Sequence, residues 1–100
     1  MIFSQTFMRS IERSTQFKKD YKKASKSIHS SELDSSLSEV IGCLVLDCQP
    51  PPRYRDHQLK ADWKGYRDCH VFPDLVLIYQ LKADSILRLV RLGSHSELSL

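Results

Sequence analysis

Three of the four histidines in this 100-residue chain lie in its second half, beside residues suited to phosphate chemistry. They are found in Tyr54-Arg55-Asp56-His57, in Trp63-Lys64-Gly65-Tyr66-Arg67-Asp68-Cys69-His70-Val71-Phe72-Pro73-Asp74 and in Arg91-Leu92-Gly93-Ser94-His95. Histidine can accept or donate a proton near neutral pH, and arginine and lysine bind phosphate. The three clusters therefore indicate a small enzyme that cuts a phosphodiester, provided that the histidines meet in space.

The composition is that of an ordinary globular protein. The chain has 41% hydrophobic and 27% charged residues, and its length predicts one domain, residues 1–100, with one core. No apolar run approaches the roughly 18 residues that span a bilayer, and the N-terminus lacks the basic start and apolar stretch of a signal peptide. We therefore expect a cytoplasmic protein without a membrane partner.

Neither the cysteines nor the histidines have the spacing of a metal site. The three cysteines form no CxxC pair, and we expect them to be reduced and structural. The histidines of the three clusters and Asp74 match no compact pattern of zinc ligands. The sequence therefore predicts neither a metal nor another cofactor.

Positive charge is concentrated near the N-terminus, although the net charge is only +3. Residues 9–27 carry seven arginines and lysines against two acidic residues. Such a segment fits an anionic partner, and Lys18, Lys19 and Lys22 are its candidate phosphate-binding residues. The alternative is a solvated helix face with no role in binding.

The elements that must position the clusters begin with a short strand and two helices. Residues 1–8 fit no element, and we expect a disordered or non-native extension there, with Met8 as a possible start. A first strand follows, with Ile11 facing inward. Ser14 or Thr15 then caps a helix whose apolar residues are spaced by three and four: Phe17, Tyr21 and Ala24. A second helix begins at Ser30 or Ser31 and ends near Asp47.

The second half of the chain has the pattern of strands. After Pro50-Pro51-Pro52, which end the second helix, residues 53–64 form a polar loop that carries His57. Three strands are then predicted, over Tyr66–Val71, Leu75–Leu81 and Ile86–Leu92, with turns at residues 73–74 and 82–85. The predicted fold is α+β, with the order β-α-α-β-β-β. Its N-terminal strand and helix pair pack on a mainly antiparallel four-stranded sheet.

This order brings the clusters to one edge of the sheet. His70 and Asp74 flank the turn of a predicted hairpin, and His95 follows a strand that ends at the same edge. The loop that carries His57 can fold over that edge. His29, between the helices, has no partner motif and is expected to be exposed.

Five stretches of the chain resemble the YafQ branch of the RelE/ParE toxin superfamily. They are FKKDYKK at 17–23, DHQL at 56–59, WKGYRDCHV at 63–71, PDLVLIY at 73–79 and RLGSHSEL at 91–98. The resemblance runs from about residue 9 to residue 98. It implies a small RelE-like domain and a bacterial type II toxin that a cognate antitoxin neutralises. It also implies cleavage of messenger RNA in the ribosomal A site, next to 16S rRNA.

The resemblance also implies the active-site positions, which correspond here to His57, His70, Asp74 and His95. The chain departs from the family pattern where Leu75 replaces a frequent tryptophan, Ala61 a common glycine and Ser99 a C-terminal phenylalanine. The last departure leaves open a catalytically weak or inactive homologue that acts as an antitoxin-binding module. A third alternative, the gyrase-poisoning branch of the superfamily, is not expected to carry this set of histidines.

RNA supplies its own nucleophile, the 2′-hydroxyl, so cleavage needs a base, an acid and cations around the phosphate, and no metal. We expect His95 or Asp74 to be the base and His70 or His57 to be the acid. The candidate phosphate-binding residues are Arg91, Lys64 and Arg67, besides the three lysines of the first helix. Two alternatives stay open: Arg91 pairs with a carboxylate, and Arg67 and Asp68 orient neighbours or form a structural pair.

Overall fold

In the computed structural model, which describes residues 8–83 and 85–100, two helices pack on one face of a five-stranded sheet. The elements are β1 (Ser10–Arg13), α1 (Thr15–Ala24), α2 (Leu33–Val45), β2 (His57–Gln58), β3 (Arg67–Phe72), β4 (Leu75–Lys82) and β5 (Ile86–Gly93). Single 3-10 turns at Pro52–Tyr54 and Ala61–Trp63 flank β2. The α+β prediction is confirmed. Of the predicted extension, only Met8 lies within the described residues, and it is exposed.

Local side-chain chemistry fixes the start of α1. Ser14 is the N-cap, and its hydroxyl oxygen accepts a hydrogen bond from the backbone N–H of Phe17 at 2.9 Å. The same hydroxyl donates to the carbonyl of Val90 at 2.7 Å, which ties the helix start to β5. α2 begins at Leu33, slightly later than predicted, because residues 26–32 form short turns of their own.

The strand order across the sheet is β1-β5-β4-β3-β2, with β1 parallel to β5 and the other neighbours antiparallel. The prediction of four strands is therefore one short. The additional strand, β2, has two residues, so it is too short to produce a visible alternation in the sequence. It places His57 opposite Asp68 of β3 rather than on a free loop. The predicted turn at 82–85 includes residue 84, which lies outside the described residues.

The sheet is covered on both faces, which explains the dense apolar run in β4. Leu77 and Tyr79 face the helices and are fully buried with residues such as Val40. Val76 and Ile78 face the other way and are buried under Leu98, with Trp63 and Tyr66 packed against them. Ile11 is on the helix side of the sheet, in register with buried Leu87, and lines a cleft with Phe17. Because its strand lies at the sheet edge, Ile11 is nevertheless 49% exposed. No helix in the described part of the chain is long and apolar enough to cross a membrane.

Candidate active site

Three histidines from different elements meet at one edge of the sheet. His70 lies near the end of β3, and its ring centroid is 5.0 Å from that of His95, which follows β5. The ring centroid of His57, on β2, is 6.4 Å from that of His70. Both pairs are edge-on, with interplanar angles of 86° and 70°. Pairing of β2, β3 and β4, together with the return of β5, thus brings together imidazoles that are far apart in the sequence.

A buried carboxylate lies beside these rings. Asp68 is 2% exposed, and its Oδ1 lies 3.0 Å from Nδ1 of His57. That Nδ1 is also 2.8 Å from the carbonyl of Arg55, and Oδ1 of Asp68 accepts no hydrogen bond from any residue that the structure describes. His57 therefore donates to the carbonyl, and its interaction with Asp68 is electrostatic. Burial raises the pKa of Asp68, while the neighbouring histidines act in the opposite direction. Whether Asp68 orients its neighbours or forms a structural pair, the two alternatives expected from the sequence, stays a prediction.

His70 is held in its neutral form. Its partial burial lowers its pKa below the ordinary value, and the charges of His95, Arg55 and His57 act in the same direction. Only Asp68 opposes them. At neutral pH the ring of His70 is therefore uncharged and can accept a proton.

Two clefts open onto the histidines. The larger has a volume of about 1010 Å³ and is lined by His70 and His95 with, among others, Arg53, Arg55 and Phe72. The smaller, of about 410 Å³, is lined by His57 and His95 with, among others, Asp68 and Ser99. Cavities of roughly 300–1,000 Å³ are typical of small-ligand sites, so the larger cleft is at the upper end of that range. His95 is shared by the two clefts and can act on a group bound in either.

Asp74 contacts His29 rather than the three clustered histidines. Its Oδ1 lies 2.6 Å from Nε2 of His29, whose ring stacks on Phe72 with centroids 4.0 Å apart and planes 5° apart. The expectation that His29 is exposed and without a partner is therefore wrong. The two residues are 45 positions apart, and the sequence has no pattern that reports such a contact.

Both predicted phosphate-binding arginines are held in ion pairs. Nε of Arg91 lies 2.8 Å from Oδ2 of Asp20, which also accepts a hydrogen bond from the backbone N–H of Leu92 at 2.9 Å. Burial raises the pKa of Asp20, but these hydrogen bonds outweigh it and the net shift is downward. Arg67 donates to Asp56 at 2.9 Å and to the hydroxyl of Tyr79 at 3.2 Å. Both arginines thus adopt the structural alternative that the sequence left open.

Arg55 is a cation at the larger cleft that is not among the residues predicted from the sequence. It is exposed, lines the larger cleft, and its charge helps to lower the pKa of His70. Its side chain makes no hydrogen bond or ion pair with another described residue. Its backbone is left-handed, with φ 50°, as the loop turns into β2. Its place two residues before His57 was the signal that could have identified it.

The predicted lysines are exposed, but in the described structure none of them lines either histidine cleft. Lys18, Lys19 and Lys22 project from α1, whose last turn carries Lys23, an ion-pair partner of Glu97 in the segment after β5. Lys64 lines a separate cleft of about 660 Å³ beside Arg67. Within residues 8–83 and 85–100, no group of three or more His, Cys, Asp or Glu side chains could hold a metal ion.

Comparison with known proteins gives consistent matches over nearly the whole chain. The sequence model of the family described as "Bacterial toxin of type II toxin-antitoxin system, YafQ" matches residues 9–100. The mRNA interferase toxin YafQ of Escherichia coli (strain B / BL21-DE3) is 45% identical over 91 residues, which cover 90% of this chain and 95% of that protein.

Solved structures agree in fold. The crystal structure of the E. coli DinJ-YafQ complex matches with a TM-score of 0.76 and 43% identity over 90% of this chain and 97% of that one. The crystal structure of a metal-bound toxin from Helicobacter pylori matches with a TM-score of 0.80 and 43% identity over 91% and 99% of the two chains.

Proposed function

Because the chain belongs to the YafQ family of bacterial toxins of type II toxin–antitoxin systems, we propose that its histidine cluster cleaves messenger RNA. The observation that carries this proposal is the pair His70 and His95. Their rings are 5.0 Å apart and line one cleft together with Arg55. Two imidazoles and a cation facing the same space can act together on one phosphate.

In the proposed reaction, the 2′-oxygen of the RNA attacks the adjacent phosphorus and the bond to the 5′-oxygen breaks. His70 accepts the proton of the 2′-hydroxyl, because its lowered pKa keeps the ring neutral and able to accept. His95 donates a proton to the departing 5′-oxygen. This order differs from the alternatives that the sequence favoured, in which His70 was a candidate acid. The products are a 2′,3′-cyclic phosphate and a 5′-hydroxyl, and the reaction needs no metal because the nucleophile belongs to the RNA.

The remaining residues bind, orient or shape the site. Arg55 contacts the phosphate in this proposal, and Lys64 and the α1 lysines contact the RNA or ribosomal backbone. Arg91 and Arg67 keep structural roles, since their guanidinium groups are already engaged. Asp68 places a buried carboxyl group beside His57. Asp74 lies in the β3–β4 turn and helps to shape the site from there.

The partners follow from the family. E. coli YafQ forms a complex with DinJ, and we propose that a cognate antitoxin binds and silences this chain in the same way. We further propose that cleavage takes place on the cytoplasmic ribosome, with the messenger in the A site and α1 against 16S rRNA. The exposed lysines of α1 are suited to that anionic surface.

Induced expression of wild type and of His95→Gln, with mapping of RNA 5′ ends, tests the proposal. We expect new ends within coding sequences for wild type and none for His95→Gln. The matched control is Lys26→Gln, an exposed position outside the helices, which should cleave like wild type. Purified wild type should also cleave messenger RNA bound to a programmed ribosome and leave free RNA intact.

A second function has one specific observation in its favour. Ser99, at the position of the family's C-terminal phenylalanine, is exposed and lines the smaller cleft, so no aromatic side chain from this position can stack on a base there. If wild type binds its antitoxin but leaves all transcript ends unchanged, the chain is an antitoxin-binding module rather than a nuclease.

A further inference from the structure

His29 links the loop between α1 and α2 to the β3–β4 turn through side-chain contacts. It lies between α1 and α2, and its Nε2 is 2.6 Å from Oδ1 of Asp74 in the β3–β4 turn. Its ring also stacks flat on Phe72, 4.0 Å between centroids. The adjacent Ile28 is 87% exposed, whereas the His29 side chain is 21% exposed. The loop thus partly covers a polar ring and leaves an apolar side chain in solvent, which indicates a specific role for the ring.

The loop is held so that the ring can reach this place. The hydroxyl of Ser27 donates to the carbonyl of Ala24 at 2.7 Å, and its oxygen accepts from the backbone N–H of His29 at 3.2 Å. These two bonds anchor residue 29 to the end of α1. Through the polar contact with Asp74 and the stack on Phe72, the loop between the helices therefore holds the hairpin turn.

The strand ladder reaches the turn, where Phe72 pairs with Leu75, but it is irregular just before it. The pairing of β3 with β4 shifts register between His70 and Phe72, so the ladder is irregular beside His70. Phe72 and Pro73 line the same cleft as His70 and His95. A movement of the turn would change both the cleft wall and the direction of the His70 ring.

We propose that His29 is a positioning residue for RNA cleavage, which acts through Asp74 and Phe72 to hold His70 and the cleft wall in the reactive arrangement. The inference rests on the proposed function. It assigns His29 no contact with the RNA. His29 acts on the rate of the chemical step rather than on binding of the messenger.

Kinetics of cleavage on programmed ribosomes test the assignment. His29→Ala should lower kcat by about 10-fold or more with little change in KM, because small displacements of a reacting group reduce the rate strongly. His29→Gln keeps a hydrogen-bond donor and His29→Phe keeps the stack, so each should retain more activity than His29→Ala. Ile28→Ala, the exposed neighbour, is the control and should match wild type.

A double variant separates positioning from general stability. If His29 acts through Asp74, His29→Ala should lower kcat less when Asp74→Asn is already present than it does in wild type. A purely structural His29 would lower the melting temperature and leave the kcat of the folded fraction unchanged, and that result would overturn the inference. If His29→Ala does not fold, the comparison is made with His29→Gln and His29→Phe.

An NMR measurement tests the positioning role of His29 independently of the proposed function. Asp74→Asn and Phe72→Leu should each shift the imidazole signals of His29, and His29→Phe should shift those of His70. Unmoved His70 signals would contradict the inference even for a protein that cleaves. A wild type that never cleaves, with these shifts present, would instead contradict the proposed function.

Discussion

At the scale of single residues, the environment of His70 decides its protonation. Burial lowers its pKa and the nearby cations reinforce the effect, although the ring is within reach of a buried carboxylate. A neutral imidazole at physiological pH is what a general base requires. The neighbouring His95 is more exposed and can exchange protons with solvent between reaction cycles.

The lowered pKa of His70 predicts a dependence of stability on pH. Below the unfolded value of 6.5, the unfolded chain binds a proton at this ring before the folded chain does. The free energy of unfolding should therefore fall as pH decreases from 6.5 towards the folded pKa, and His70→Gln should lack this part of the slope. Urea unfolding of both proteins between pH 5 and 8 measures the difference. Parallel curves would contradict the prediction.

The sequence shows which residues have the chemistry for the site, but it does not show which side chains they contact. Alternating apolar residues reveal the strands in the sequence. The order of these strands predicts that the histidines meet at one edge of the sheet. The contact of Asp20 with Arg91 joins positions 71 apart, and that of His29 with Asp74 joins positions 45 apart. Such pairs depend on how the helices lie on the sheet. For this reason the sequence predicts a phosphate-binding role for Arg91, although the structure pairs it with Asp20.

At the scale of elements, the segment after β5 carries His95 and is fastened by Glu97. This carboxylate accepts hydrogen bonds from Lys23 on α1 and from the backbone N–H of Ser94. The hydrogen bond from Lys23, followed by that from Ser94, lowers the pKa of Glu97 to about 2. The carboxylate of Glu97 thus ties the segment both to its own turn and to α1.

Glu97→Gln should loosen this segment. A lowered carboxylate pKa gives a stabilising contribution that is present above the unfolded value of 4.5 and is lost as pH falls towards about 2. The variant should therefore show faster amide exchange at residues 94–98 at neutral pH and slower cleavage. It should also lose less stability than wild type between pH 5 and 3. Unchanged exchange at these amides would contradict the role assigned to Glu97.

Two glycines, one in a turn and one in a helix, give a matched test of backbone conformation. Gly65 precedes β3 with φ +91°, and Gly42 lies within α2; at neither position would a Cβ meet another atom within 4 Å. Gly65→Ala should destabilise the protein by roughly 1–2 kcal/mol, because L residues disfavour positive φ. Gly42→Ala should stabilise it by roughly 0.5–1 kcal/mol, because it reduces the entropy of the unfolded chain. Chemical denaturation measures both, and equal signs would contradict the assignment.

The elements with strong periodicity were predicted well. The Ser14 cap and the three long strands are confirmed within a residue or two. The two-residue strand β2 was missed, because a length of two residues cannot show alternation. His57 was consequently predicted on a loop, although its backbone is paired with β3.

At the scale of the whole molecule, positive charge is distributed unevenly, although the net charge is only +3. The lysines of α1 project from the helix whose last turn contacts the segment that carries His95. Long-range attraction to RNA is therefore expected to come from this side of the molecule.

Replacing Lys18, Lys19 and Lys22 together by glutamine should weaken binding to single-stranded RNA. Each lost phosphate contact reduces the salt dependence, so the slope of log K against log salt should become shallower by roughly 2. Lys82→Gln serves as the control, since Lys82 pairs with Glu12 at the far end of β4 from His70. Binding titrations over a range of salt concentrations measure the slope. An unchanged slope would assign these lysines to a solvated face.

The parallel pairing of β1 with β5 has a consequence for biosynthesis. It pairs Ser10 with Ile86, so β1 cannot join the sheet until β5 has been synthesised, after most of the chain. His95, which follows β5, is made later still, so a nascent chain has no complete histidine cluster. The cell that makes the protein is thus exposed to the assembled cluster only after β5 has left the ribosome. Limited proteolysis of stalled nascent chains should find the domain unprotected until residues 86–93 have emerged.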